Sequence, residues 1–241
     1  MPASTLAGIA DVIFPPRCAS CGDLLRESEG SHFCPICTDR IGFIGRPLCP
    51  RCGIPFAGAD TDDHLCGDCL LSEPPFSLAR AVGRYDGALL DAIHRFKYEE
   101  RVALGEVLGR LMADFPFPDF SFTEYSLLVA VPLHPKRLRQ RMFNQSVVLA
   151  RVLAKRFSLP LDLMVLRRSL YTEPQVNLGR NERLANVAGS FTVSAAERIR
   201  GKRIILVDDV YTTGSTVKEC AKVLRKSGAE EVAVLTLARA V

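Results

Sequence analysis

The stretch ILVDDVYTTGST, residues 205–216, stops an apolar run at two consecutive aspartates and continues as a hydroxyl-rich turn. Burying one carboxylate at the end of a core strand is costly, and burying two side by side is worse. Something must want both charges there. Residues 203–207 read as a buried strand and about 214–227 as a helix. Asp208 and Asp209 therefore stand at a strand's carboxyl end, and Thr212, Thr213, Gly214, Ser215 and Thr216 lead into a helix start. The free N–H groups and positive dipole end of such a start make an anion site. Gly214 allows close backbone approach, and the hydroxyls add donors. A ribose 5-phosphate would satisfy both halves, with a divalent metal helping to hold the acids. The plainer alternative is an acidic turn followed by a helix cap. A Walker-type phosphate loop is excluded, because no GxxxxGK[ST] occurs.

Outward from this stretch, helix-like and strand-like runs alternate. Residues 87–97, 101–113 and 144–157 read as helices, the last opening on the capping residue Asn144. Residues 126–132 and 231–237 read as buried strands. Alternation of this kind means an α/β domain with a mainly parallel sheet, whose ligands sit at the carboxyl ends of the strands. Pro74 and Pro75 mark a linker, so the expected division is 1–73 and 76–241.

Eight of the nine cysteines precede residue 70 and form four CxxC pairs: Cys18 and Cys21, Cys34 and Cys37, Cys49 and Cys52, Cys66 and Cys69. CASCG at 18–22 repeats as CPRCG at 49–53, and HFCPIC at 32–37 repeats as HLCGDC at 64–69. Each copy thus carries four thiols. Four thiolates in two knuckles suit one tetrahedral Zn²⁺, so two structural zinc ions are expected, one per repeat. A segment of about 30 residues buries too little core to fold alone, and the metal would supply the missing free energy. A cross-braced pairing of alternate knuckles is the competing arrangement, but each copy is complete in itself. His32 and His64 precede a knuckle in both copies and read as surface or supporting residues. Cys220 falls in an apolar helical pattern and reads as a small core residue.

The chain has 241 residues, 48% of them hydrophobic, and a formal charge of +4. That excess is too small to imply a nucleic-acid partner by itself. The opening MPASTLAGIADVIFPPRC lacks a basic n-region and carries Asp11 in its apolar stretch, which argues against a secretory signal. No run approaches the ~18 apolar residues of a membrane helix. A cytoplasmic location is expected, where cysteines are more often metal ligands than disulfides.

IILVDDVYTTGST resembles the signature of type I phosphoribosyltransferases, which bind phosphoribosyl pyrophosphate (PRPP). The whole chain resembles the ComF family, a double zinc ribbon followed by a phosphoribosyltransferase domain. FPPRCASCG, IHRFKY, VPLHPKRLRQRMFNQ and TEPQVNLGRNERLANVAGSF carry that wider likeness. The resemblance implies that Asp208 and Asp209 hold the ribose hydroxyls and associated Mg²⁺. It assigns the 5-phosphate to residues 212–216. It also implies a role in DNA uptake during natural competence, with other competence proteins as partners. One departure is visible, because Met142 stands where the family usually has glycine, in RMFNQ.

HPKRLRQR places Lys136, Arg137, Arg139 and Arg141 after a strand end, where cations would suit a pyrophosphate; a solvated charged face is the alternative. Asn144 and Gln145 either contact substrate or cap the next helix. Residues 169–190, with Thr172, Gln175, Arg180, Arg183 and Asn186, read as a long loop of the kind that forms lids. Arg180 or Arg183 would stabilise departing pyrophosphate, or serve only as solvated charges. No residue stands out as a nucleophile or general base, which leaves open whether the chain is an enzyme. Three functions remain: phosphoribosyl transfer to an unidentified acceptor, non-catalytic sensing of PRPP or a nucleotide, and handling of single-stranded DNA. Nonspecific single-strand grooves use aromatic platforms, and aromatics make up only 7% of this chain, with no tryptophan.

Overall fold

The computed structural model describes residues 16–25, 32–58, 62–98, 102–170 and 187–241. One parallel sheet contains β1 (Leu78–Arg84), β2 (Leu127–Ala130), β3 (Leu161–Asp162), β6 (Arg203–Tyr211) and β7 (Glu231–Arg239). Their order is β1-β7-β6-β2-β3. Two further strands, β4 (Leu166–Arg168) and β5 (Phe191–Val193), form a separate antiparallel pair. The α/β class is the one that the alternation of apolar runs predicts.

Both faces of the sheet are buried, which is why its strands read as continuous apolar runs. Ile205, Val207, Ala233 and Leu235 point into one core, and Ile204, Leu206, Val232 and Val234 into the other. The first face is covered by α3 (Gly87–Tyr98), α4 (Val102–Asp114) and α6 (Gln145–Phe157), through Leu89, Ile93, Phe96, Leu108, Met112, Leu149 and Leu153. The second is covered by α7 (Ser215–Lys226), through Val217, Cys220 and Leu224. Cys220 is fully buried, as a core residue should be.

Three local features differ from the sequence reading. Strand β6 does not stop at residue 207 but runs to Tyr211. The reason is that β7 continues beside it, pairing Asp208 with Thr236 and Tyr211 with Arg239. Strand β1, which the sequence reading did not single out, follows Pro74 and Pro75 and pairs its backbone with β7. The basic HPKRLRQR stretch, to which the sequence reading gave no helix, forms a short one, α5 (Pro135–Arg141). Proline is tolerated in a first helical turn, and His134 caps it by accepting the Lys136 N–H at 3.2 Å.

The cysteine repeat is also a structural repeat. Short antiparallel bridges join Arg17 to Leu24 and Leu48 to Pro55. Gly22 and Gly53 donate their N–H groups to the Cys18 and Cys49 carbonyls at 3.0 and 2.8 Å, in turns that require positive φ (82° and 69°). Short helices, α1 (Pro35–Asp39) and α2 (Gly67–Leu71), follow Cys34 and Cys66. The Cys34 and Cys66 N–H groups point at the Cys18 and Cys49 sulfurs. In each unit all four sulfurs lie within 4.8 Å of one another. A tetrahedral zinc thiolate needs sulfurs about 3.8 Å apart, and the Cys21–Cys34 and Cys52–Cys66 pairs stand at 3.9 and 3.6 Å. The donors therefore fit two zinc ions, held sequentially rather than cross-braced. His64 stacks on Phe56 instead of joining the sulfurs, with ring centroids 3.8 Å apart.

The two ribbons pack on opposite faces of the sheet. Cys18, Phe33 and Cys37 enter the core under α3, whereas Cys49 and Cys52 enter the core with Phe76 and Tyr211. Arginines from the sheet layers fasten both. Arg95 of α3 donates to the Cys18, Ala19 and Ser20 carbonyls at 3.1–3.3 Å. Arg80 of β1 donates to Pro50 at 3.1 Å, and Arg239 of β7 donates to Cys52 at 2.6 Å. Arg80 and Arg239 are themselves buried, so these carbonyls satisfy charges that would otherwise be costly to hold there.

Elemental analysis of purified protein should give about two zinc per chain. A single equivalent, or an iron–sulfur absorption spectrum, would overturn the assignment. Arg239→Ala should lower stability by about 1–3 kcal/mol in thermal or denaturant unfolding, because it orphans the buried Cys52 carbonyl.

Candidate functional site

The site lies where the sheet changes its winding. The crossover from β6 through α7 to β7 covers one face, and the crossover from β2 through α6 to β3 covers the other. Such divergence opens a crevice at the strands' carboxyl ends. Strand β2 ends at Ala130, opposite Val207, while β6 continues. Asp208 and Asp209 therefore lose their neighbour on one side just as they enter the crevice.

Each acid has its own partners. The Asp208 Oδ1 accepts from the Ser146 hydroxyl at 2.8 Å and from the Asp209 N–H at 2.9 Å. Burial, and then the charge of Asp209, nevertheless push the Asp208 carboxyl up to about 7. The Asp209 Oδ2 pairs with the Lys97 ammonium at 3.0 Å, and only 13% and 14% of the two side chains are exposed. Burial alone would lower the Lys97 pKa, but the Asp209 carboxylate outweighs it and raises it.

The turn after the acids is shaped for a close approach. Gly214 has φ +75° and is the N-cap of α7, and a Cβ there would collide with the Tyr211 hydroxyl. Gly214 has no side chain to cap this helix start, and the Ser215 N–H is met by the Thr213 hydroxyl at 3.4 Å. The Thr213 and Ser215 hydroxyls are joined at 2.8 Å. Behind the turn, a cavity of about 220 Å³ separates Thr212, Thr213 and Lys218 from Cys52 and Cys69 of the second ribbon. Arg239 lines the same cavity and stacks on the Tyr211 ring, 4.2 Å from its centroid.

Of the other residues singled out in the sequence, Lys136 is exposed and Arg137 half-buried in the first turn of α5. Asn144 caps α6: its side-chain oxygen accepts the Ser146 N–H at 3.0 Å, and its amide donates to the Val131 carbonyl at 3.0 Å. Gln145 is buried. Met142 takes φ +61° at the end of α5, the left-handed backbone that glycine adopts without strain. Thr172, Gln175, Arg180, Arg183 and Asn186 lie outside the described residues.

Sequence reasoning missed three side chains at this site. Lys97 and Ser146 arrive from helices distant in sequence. Arg168, on β4, is the third: burial lowers its pKa and the nearby Arg137 charge lowers it further, while Asp208 acts in the opposite direction. The Arg168 guanidinium stacks on the Phe191 ring, 5.4 Å from the centroid.

The Asp208 shift has a measurable sign. A carboxyl raised from 3.8 to about 7 costs stability when it ionises in the folded state. The penalty is absent below about pH 4, grows as pH rises, and is complete above about pH 7. Asp208→Asn keeps an acceptor for Ser146 but removes the charge. Its gain in Tm should be negligible near pH 4 and largest near pH 8; a gain independent of pH would refute this account.

Comparison with known proteins agrees with this architecture. Residues 9–70 match the double zinc ribbon domain, and residues 144–240 match the phosphoribosyl transferase domain. The DNA utilization protein YhgH of Escherichia coli K12 is 33% identical over 210 residues, covering 86% of this chain and 89% of its own. Competence protein F of Haemophilus influenzae is 31% identical over 229 residues, covering 93% and 97%. Competence protein ComFC of Streptococcus pneumoniae is 29% identical over 219 residues, covering 90% and 91%. With both domains present in this order and relatives matched nearly end to end, the chain belongs to the ComF family of double-zinc-ribbon, phosphoribosyltransferase-domain proteins.

Proposed function

We propose that the protein binds PRPP or a related ribose phosphate at residues 208–216 and acts in DNA uptake during competence, a reading supported by its relatives named competence proteins and DNA utilization protein. The observation that carries this reading is the acidic pair in the crevice, directly before a glycine-capped helix start. Asp208 and Asp209 would accept the ribose hydroxyls. Thr212, Thr213, Gly214, Ser215 and Thr216 would hold the 5-phosphate. Lys136 and Arg137, with Arg168, would face the pyrophosphate, and Mg²⁺ would screen that group's charge. Arg180 and Arg183 would act on the leaving pyrophosphate. In this reading residues 76–241 carry the ligand site and residues 1–73 brace it, in the cytoplasm, where reduced thiols can hold zinc. Among the described residues, no helix is long and apolar enough to cross a membrane. Transfer chemistry here would rest on positioned charge rather than on a covalent intermediate.

A second reading concerns single-stranded DNA. The exposed Lys136 and Arg139 and the half-buried Arg137 and Arg141 gather four cations on α5, beside the crevice. They would grip phosphates with little sequence preference.

Titration calorimetry with PRPP and Mg²⁺ should show saturable binding. Asp209→Ala and Gly214→Val should each weaken it by about tenfold or more. Unchanged affinity in both variants would place the site elsewhere. For DNA, fluorescence anisotropy at low salt should show weak binding to a single-stranded oligonucleotide that falls steeply as salt rises. Arg137→Ala should weaken it. No binding at low salt would reject the DNA reading.

A further inference from the structure

The Lys97–Asp209 pair is unlike the other ion pairs of the sheet layers. Most of those involve at least one side chain that is a third or more exposed, such as Arg203–Glu124 and Arg198–Asp162. Lys97 and Asp209 are both nearly enclosed. Removing two charges from water opposes folding, and an apolar pair of similar volume commonly serves stability as well or better. A charged pair kept at the mouth of a ligand crevice therefore calls for a role in the crevice.

The geometry supplies one. A carboxylate offers about four acceptor positions. Lys97 takes one oxygen of Asp209, and Ser146 with the Asp209 N–H takes one oxygen of Asp208. Among the described residues, that leaves Asp209 Oδ1 and Asp208 Oδ2 for two vicinal hydroxyls. The ammonium is also fixed in place. It projects from α3, whose Leu89, Ile93 and Phe96 are fully buried, and it sits 5.9 Å from the centre of the Tyr85 ring. Without a cation here, two adjacent carboxylates would need a metal ion to lessen their repulsion. With Lys97 in place, one of them is already neutralised.

We propose that Lys97 is the built-in counter-cation of the ribose subsite, a positioning residue that stays paired with Asp209 and lets the acidic pair bind a ribose phosphate without a divalent metal. This rests on the ribose-phosphate reading of residues 208–216. Its consequence is a division of labour: any Mg²⁺ requirement belongs to the diphosphate of PRPP, and the sugar and 5-phosphate need none.

Ribose 5-phosphate isolates the subsite, because it carries the sugar and phosphate but no diphosphate. Calorimetry should give wild-type affinity for ribose 5-phosphate that is the same in excess EDTA and in millimolar Mg²⁺. Lys97→Met should lose about tenfold or more of that affinity in EDTA and regain much of it with Mg²⁺. Lys97→Arg keeps the charge and should remain metal-independent, and thermal unfolding of each variant checks that it is folded. Wild-type binding that needs Mg²⁺ as strongly as Lys97→Met, or a folded Lys97→Met that binds like wild type in EDTA, would overturn the proposal while leaving the ribose site intact. If wild type binds neither ribose 5-phosphate nor PRPP with or without Mg²⁺, the ribose-phosphate reading itself falls, and this inference with it.

Discussion

Two adjacent carboxylates at the end of a buried strand are the constraint around which the crevice is arranged. The parallel sheet brings them there because β7 carries β6 onward after β2 has ended. Each remaining feature of the crevice offsets some of the resulting cost. Ser146 and a backbone N–H hold Asp208, and Lys97 neutralises Asp209. The raised Asp208 pKa shows that the offset is incomplete.

The ribbons are part of the same construction. Each is too small to fold on its own apolar area, and each has a sulfur cluster of the right size for zinc. Neither is an appendage, because Cys18 and Cys37 of one and Cys49 and Cys52 of the other are buried in the cores on either face of the sheet. The fastening is mostly arginine to backbone carbonyl, which tolerates sequence change in the knuckles while preserving the attachment. Arg239 shows how close this fastening comes to the ligand crevice. One end of its guanidinium holds the Cys52 carbonyl, and its face lies on Tyr211, whose hydroxyl packs against Gly214. The second zinc ribbon and the turn proposed to bind phosphate are thus separated by two side chains.

The sequence by itself determined the local chemistry. The paired knuckles and their repeat specified two sulfur clusters, because ligand spacing is a property of the chain and not of its surroundings. VDDVYTTGST specified an acidic pair and a helix start, because strand and helix periods meet there within a few residues. The period of apolar residues was enough for the α/β class, since both faces of a parallel sheet must be covered. Tertiary structure decided everything that depends on distant segments meeting. The end of β6 followed from the length of its partner β7. The identity of β1 as a strand followed from its pairing with that same β7. Lys97, Ser146 and Arg168 entered the site because packed helices and an antiparallel strand pair carried them there. In sequence they are ordinary polar residues on amphipathic elements, and burial next to a charge, which gives them their importance, exists only in the folded chain.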